Sequence, residues 1–249
     1  MRFVPIESMK LGPMIIYIWG LFVALGIIAG IALAARRAKK RGVGLDQILN
    51  LSIIIILSGF LGARIVYFII NWDFYHDDLV EFFKVWHGGF AAYGGFLALP
   101  AVYFYAKIAK IYFRKIADIF APAIFLSLFF GRIGCFLVND HLGKMTNLPW
   151  AIDFGATPRH PIAAYYGLAA FLGCITLLVF DKKVKDKPAG VLAALALVFY
   201  GAGRFLIDFF ARDYSDKNLA IYNEIFLLII FALGISLMFF IYAKRSKKV

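Results

Sequence analysis

Charge is scarce in this chain. Asp, Glu, Lys and Arg make up 17% of its 249 residues, where a soluble domain carries about a quarter. Cysteine is scarcer: Cys135 and Cys174 are the only two. Both fall inside apolar runs and read as small hydrophobes, not as a disulfide framework. No His/Cys/carboxylate group shows ligand spacing, so neither a metal nor an organic cofactor is expected. Internal repeats, low-complexity stretches and domain-dividing linkers are all missing, so a single polytopic membrane domain is expected over 1–249. No cleavable signal is visible either. The first apolar run is too long for a signal h-region and lacks a basic leader, so it reads as a permanent helix.

Apolar sequence is what the chain has in abundance. Hydrophobic residues make up 63% and the mean hydropathy is +0.81. They arrive in runs of about 20 residues, the length that crosses roughly 30 Å of hydrocarbon. Seven such runs can be drawn: Met14–Ala35, Ile48–Ile70, Gly88–Lys107, Lys115–Leu137, Pro161–Phe180, Ala189–Phe210 and Ile221–Ala243. The loops between them are short, except those at 71–87 and 138–160. The second holds Asn139, Gly143, Asn147, Pro149, Gly155 and Pro158, too many breakers for one helix.

The formal net charge of +12 is a topology signal. Seventeen Lys and Arg lie on one side of the predicted spans: Arg36–Arg41, Lys107–Lys115, Lys182–Lys187 and Lys244–Lys248. Seven lie on the other: Arg2, Lys10, Lys84, Lys144, Arg159, Arg212 and Lys217. The loops alternate throughout, and basic loops stay in the cytoplasm. The expected fold is an all-α integral membrane protein with seven transmembrane helices, N-terminus outside and C-terminus cytoplasmic. Basic loops of this kind contact anionic membrane lipids; without a binding fold they do not indicate nucleic acid.

Three arginines lie inside spans: Arg64, Arg132 and Arg204. Each costs about 2.5–3.5 kcal/mol at a helix centre, so three are seldom kept without compensation. All sit five or six residues before the outer end of their runs, about 8–9 Å below the boundary. Trp19 and Tyr93 fall at a similar depth on helices running the other way. Asp208 follows Arg204 by one helical turn, so their side chains can touch. His76, His87, His141 and His160 all lie on the outer side. Snorkelling to the headgroups accounts for one such arginine. Three at a common depth point to an outward-facing site for an anionic lipid, and the guanidinium fork suits a phosphate. Composition and spacing go no further.

Four stretches do. Gly131-Arg-Ile-Gly-Cys-Phe-Leu-Val-Asn-Asp-His-Leu-Gly-Lys-Met-Thr146, followed by Leu148-Pro-Trp150, resembles the signature of the bacterial prolipoprotein diacylglyceryl transferase family. Arg159-His-Pro161 with Tyr165 resembles that family's Arg-His-Pro motif, and Gly203-Arg-Phe-Leu-Ile-Asp-Phe-Phe210 its Arg-Phe-x-x-Glu-Phe-Phe motif. Trp86-His-Gly-Gly89 leading to Tyr93-Gly-Gly95 resembles its Gly-rich third helix, and Gly62-Ala-Arg64 with Tyr67 is a weaker match. The order and spacing hold over nearly the whole chain. The Gly-Gly pieces alone would be weak, since small residues are common at helix contacts.

The resemblance implies transfer of the diacylglyceryl group of phosphatidylglycerol to the lipobox cysteine of a prolipoprotein signal peptide. A thioether forms, glycerol phosphate leaves, and the site faces outward from the bacterial cytoplasmic (inner) membrane. It also implies catalytic roles for Tyr93, Arg132, Asp140, Arg204 and Asp208. Substrate contacts are expected from Arg64, Trp19, Tyr67, Gly94, Gly95, Asn139 and His160. Four positions depart from the family pattern: Cys135 stands for an asparagine, Tyr93 for a histidine, and Asp140 and Asp208 for glutamates. Tyrosine, with a reference pKa near 10, is a poor base at neutral pH, so Tyr93 is expected to orient the thiol or accept its proton only with help from arginines. Two other readings stay open: a lipid flippase or anion transporter that uses the arginines without chemistry, and an inactive relative that only binds lipoproteins. Inverted repeats with broken helices would favour the transporter, and none is visible in the sequence.

Overall fold

Inside hydrocarbon a chain must satisfy its own N–H and C=O groups, and a helix does so within one segment. In the computed structural model, which describes residues 3–153, 155, 157–214 and 217–246, the apolar runs fold accordingly. The long helices are α1 (Ile18–Lys40), α2 (Leu45–Ile70), α5 (Phe113–Val138), α6 (Ile162–Lys183), α7 (Val191–Ala211) and α8 (Lys217–Ser246). These six are long and apolar enough to cross a bilayer, yet only between 17% and 44% of their most apolar windows is buried. Ile28, Leu57, Leu172, Ile229 and Phe239 are exposed on their surfaces. Apolar surface on that scale is an aggregation hazard in water and ordinary against lipid. The chain is a helical, multi-pass integral membrane protein. Arg2, Lys247 and Lys248 of the charge pattern lie outside the described residues.

Two expectations are corrected. The first run does not begin as helix at Met14: Met14–Tyr17 is strand β2, paired antiparallel with β1 (Ser8–Leu11). Gly12, at φ +60°, allows the tight turn between them. The third run, drawn as one span from Gly88 to Lys107, is broken. Gly88 and Gly89 take φ +78° and +79°, Ala92–Leu97 forms a 3₁₀ segment, and only Ala98–Ile108 is α-helix, α4. The remaining elements are a single turn, α3 (Trp72–Tyr75), 3₁₀ turns at Leu79–Phe83 and Val85–His87, and a small ribbon of β3 (Ile152–Asp153) with β4 (Pro158–Arg159).

The chain divides into two compact units, Met1–Ala34 with Ala117–Val249, and Ala35–Ile116. In the first, α7 and α8 pack closely because glycine lets their backbones meet. A Cβ on Gly201 would come within 2.8 Å of Leu227 O, and one on Gly234 within 2.9 Å of Ala194 O. A core of Ala121, Phe125, Ala170, Cys174, Leu177, Leu192 and Ala196 joins α5, α6 and α7. At the start of α7 the buried Asp118 carboxylate of α5 accepts from Gly190 N at 2.8 Å and Ala193 N at 3.0 Å. It thereby satisfies first-turn donors that have no partner within their own helix. In the second unit, α2 crosses the 3₁₀ segment at a backbone contact of Gly62 with Gly94, where a Cβ on either would overlap the other's carbonyl.

Candidate active site

Near the end of α5, the start of α6 and the last turns of α7, three side chains converge. The Arg132 guanidinium carbon lies 4.7 Å above the Tyr166 ring and that of Arg204 lies 5.1 Å from the same ring. Arg204 also donates to Tyr200 Oη at 3.2 Å. Its Nε is buried without a hydrogen-bond partner, although the Asp208 carboxylate stands 3.5 Å away. These arginines open onto a cleft whose other walls are apolar: Phe125, Leu128, Phe199 and Ile207. Buried cations and an apolar wall in one cleft suit a ligand with an anionic head and hydrocarbon tails.

Asp208 is the hub behind this pair. It is 1% exposed. Its Oδ2 accepts from Tyr214 Oη at 2.9 Å and Asn223 Nδ2 at 2.7 Å, and its Oδ1 from Tyr166 Oη. Arg212 approaches Oδ2 at 3.7 Å. Burial, followed by the Asp208 charge, pushes the Tyr214 hydroxyl upward from its ordinary pKa, so it remains a donor at neutral pH. A buried carboxylate so satisfied is fixed in place, and it fixes the charge of Arg204 beside it.

The signature loop leaves α5 through Asn139, a left-handed residue at φ +54°. That turn brings Asp140 and His141 back over Cys135. His141 Nδ1 meets Asp140 Oδ1, and Arg132 lies 4.0 Å from Cys135 Sγ. The ligand-capable atoms of Cys135, Asp140 and His141 lie within 4.8 Å of one another, which corrects the expectation that no such group exists. The sequence spacing hides it because the turn at Asn139 creates it.

Farther along, the loop is stitched to the end of α7. Lys144 N donates to Ala211 O and Lys144 Nζ to Phe209 O, both at 2.7 Å. Arg159 pairs with Asp213 at 2.9 Å. Gly143 lies so near His160 that a Cβ would fall 2.2 Å from the His160 carbonyl oxygen. His160 Nδ1 meets Tyr165 Oη at 3.1 Å, which Trp150 Nε1 approaches at 2.8 Å as a donor. Trp19 passes its backbone against Gly134, 3.3 Å from where a Cβ would stand.

The other expected residues belong to the second unit. Arg64 is 4% exposed, and its guanidinium donates to the carbonyls of Phe82 (3.0 Å), Glu81, Lys84 (3.3 Å), Gly88 and Gly89 (3.0 Å). Its ring contacts are Phe68 and Phe90. An arginine has five N–H groups, and these bonds occupy all of them. Arg64 therefore holds the loop 81–89 in this structure, with none of its donors turned to a ligand. Tyr67 contacts Tyr75 Oη at 3.3 Å through its own hydroxyl and would be struck by a Cβ on Gly89. Tyr93 is partly exposed at the start of the 3₁₀ segment, Gly94 makes the contact with Gly62, and Gly95 borders open space.

Sequence reasoning missed Tyr166, Tyr214 and Asn223. Asn223 was detectable, as an amide inside an apolar helix is costly unless partnered. Tyr166 carried no such signal.

The fold and this site define a polytopic membrane protein with buried guanidinium groups facing an amphiphilic cleft. The sequence profile of the prolipoprotein diacylglyceryl transferase family matches residues 7–242. The chain is 34% identical over 196 residues to a phosphatidylglycerol–prolipoprotein diacylglyceryl transferase of Finegoldia magna, covering 78% of this chain and 79% of that one. It is 35% identical over 196 residues to the Clostridioides difficile protein of that name, covering 78% of each. With the Geobacter sulfurreducens protein of the same name it shares 36% identity over 213 residues, 81% of this chain and 80% of the relative. The chain belongs to the prolipoprotein diacylglyceryl transferase family.

Proposed function

We infer that this chain transfers the diacylglyceryl group of phosphatidylglycerol to the cysteine thiol of a prolipoprotein lipobox, the first step of lipoprotein maturation. The relatives' names support both substrates, and one observation carries the reading on this chain's own residues. Arg132 and Arg204 lie on one tyrosine ring at the edge of an apolar cleft. In the reaction the thiol sulfur attacks the glycerol carbon bearing the phosphodiester. The S–C bond forms, the C–O bond breaks, the electron pair leaves on glycerol phosphate, and the thiol proton passes to a base. Negative charge moves from sulfur to phosphate. Fixed guanidinium groups in a water-poor cleft stabilise that charge where it develops, and their forks match phosphate oxygens.

Asp208 orients Arg204. Asp140 and Tyr93 are the proton-handling candidates, and Trp19, Tyr67, Gly94, Gly95, Asn139 and His160 are assigned to substrate contact. Arg64 is assigned to holding the outer loop. The 3₁₀ segment and α4 together extend about 28 Å, at about 2 Å and 1.5 Å per residue. That length supports a seventh crossing and hence an outer N-terminus, a cytoplasmic C-terminus and an outward-facing site in the bacterial inner membrane.

The test is a transfer assay with labelled phosphatidylglycerol and a lipobox peptide. Wild type should yield lipidated peptide and glycerol phosphate. Arg132→Lys and Arg204→Lys, which keep the charge and lose the fork, should each fall tenfold or more. Phospholipid movement without lipidated peptide would indicate a transporter, and peptide binding alone an inactive relative. Near-normal turnover in both lysine variants would overturn the assignment of the site.

A further inference from the structure

Two guanidinium groups share one face-bearing side chain here, which raises the question of what keeps them there. Like charges repel in a medium that screens poorly, and arginines on long stems in a membrane tend to snorkel toward the headgroups. Among the described residues one carboxylate, Asp208, stands within ion-pair reach of Arg204, and it also faces Arg212. Among the described residues Arg132 forms no ion pair with a carboxylate, and it approaches the Cys135 sulfur at 4.0 Å. The common element is Tyr166. It is 5% exposed, lines the cleft with both arginines, and lies 4.7 Å and 5.1 Å from their guanidinium carbons. Its hydroxyl donates to Asp208 Oδ1.

We propose that Tyr166 is a positioning residue for the transfer reaction: its ring holds both arginines in the buried cleft, while its hydroxyl fixes the carboxylate that orients one of them. The inference rests on the reading of Arg132 and Arg204 as phosphate binders. An aromatic face is electron-rich, and a desolvated cation over it is held by that quadrupole. The ring therefore offers attraction to both cations without adding a second formal negative charge. A second carboxylate at this position would attract the guanidinium groups too, but it would repel the substrate phosphate. Tyr165, the neighbouring tyrosine, cannot substitute. It bonds His160 and Trp150, because adjacent residues on a helix point about 100° apart.

Packing and ring electrostatics are separable. Tyr166→Phe keeps the ring and loses the hydroxyl. Phenylalanines carrying one, two or three ring fluorines at position 166 keep the shape and progressively strip the negative face. Full-length protein in lipid nanodiscs would be assayed for transfer, for the KM of phosphatidylglycerol and of peptide, and for inhibition by glycerol 1-phosphate. Tyr166→Phe should lose less than tenfold. Each added fluorine should raise the lipid KM and weaken glycerol phosphate inhibition stepwise, to tenfold or more at three fluorines, with the peptide KM unchanged. A flat response across the fluorinated series, with Arg132→Lys or Arg204→Lys still impaired, would overturn the role of Tyr166 and leave the phosphate reading intact. A flat response with both lysine variants also fully active would remove the phosphate reading itself.

Discussion

Replacing Asp208 with asparagine should disable the site while leaving its shape nearly unchanged. The two side chains are almost isosteric, so the effect is electrostatic. Asp208 Oδ2 accepts from Tyr214 and Asn223 and faces Arg204 and Arg212, whereas among the described residues Oδ1 accepts only from Tyr166. The new amide nitrogen will therefore take the Oδ1 place, where the Tyr166 hydroxyl can rotate to accept, and both Oδ2 bonds survive. What disappears is the charge opposite Arg204. Removing one partner of a buried pair costs about 3–5 kcal/mol. Arg204 keeps 14% and Arg212 21% of its side-chain surface, so water recovers part of that and the low end applies. About 3 kcal/mol is roughly a hundredfold in rate if the loss is felt fully in the transition state. Asp208→Glu, which adds a methylene and restores the family's residue, should stay within about tenfold of wild type. The assay is peptide lipidation per milligram of folded protein. Wild-type turnover in Asp208→Asn would refute the claim that a charged Asp208 orients Arg204.

Three further outcomes are expected. A reporter fused after Val249 should read as cytoplasmic and one inserted within 71–87 as external; a periplasmic C-terminal signal would remove the seven-crossing topology. Gly143→Ala should lower activity tenfold or more, because the new Cβ would overlap His160 and part the signature loop from it; a silent variant would mean that the loop position is unimportant. In the loop at 81–89, His87 and then Lys84 hold the Glu81 carboxyl below its ordinary range. A depressed acid contributes stability above its unfolded pKa that is lost as pH falls through the folded value, so the protection of amides at 81–89, relative to their intrinsic exchange rate at each pH, should fall on acidification, and Glu81→Gln should show the lower protection already at neutral pH.

How much of this was legible differs by the kind of force involved. Apolar runs read out as helices because the bilayer imposes the same demand on every residue in them, and five of the runs end within a few residues of α2, α5, α6, α7 and α8. The Gly88–Lys107 run failed because hydropathy says nothing about backbone angles. Gly88 and Gly89 turn left-handed, and Gly94 lies on Gly62, so the backbone geometry there follows a close contact with α2. The arginines divide in the same way. Arg64 and Arg132 are alike in hydropathy and in distance from the ends of their runs. One is surrounded by loop carbonyls and the other by a tyrosine ring and a thiol; the thiol is one helical turn away, but the carbonyls and the ring come from residues 17 to 34 positions away. Arg204 and Asp208 were readable as a pair since one helix carries both at a four-residue spacing. Tyr166 was not, because it meets Asp208 only after α6 and α7 have packed; Asn223 was legible as an amide in need of a partner, but that it and Tyr214 share Asp208 is visible only in the folded chain. A charge inside an apolar run announces that something must compensate it; the compensating group is chosen by tertiary structure, and here it is a neutral ring and two neutral donors that no charge count would find.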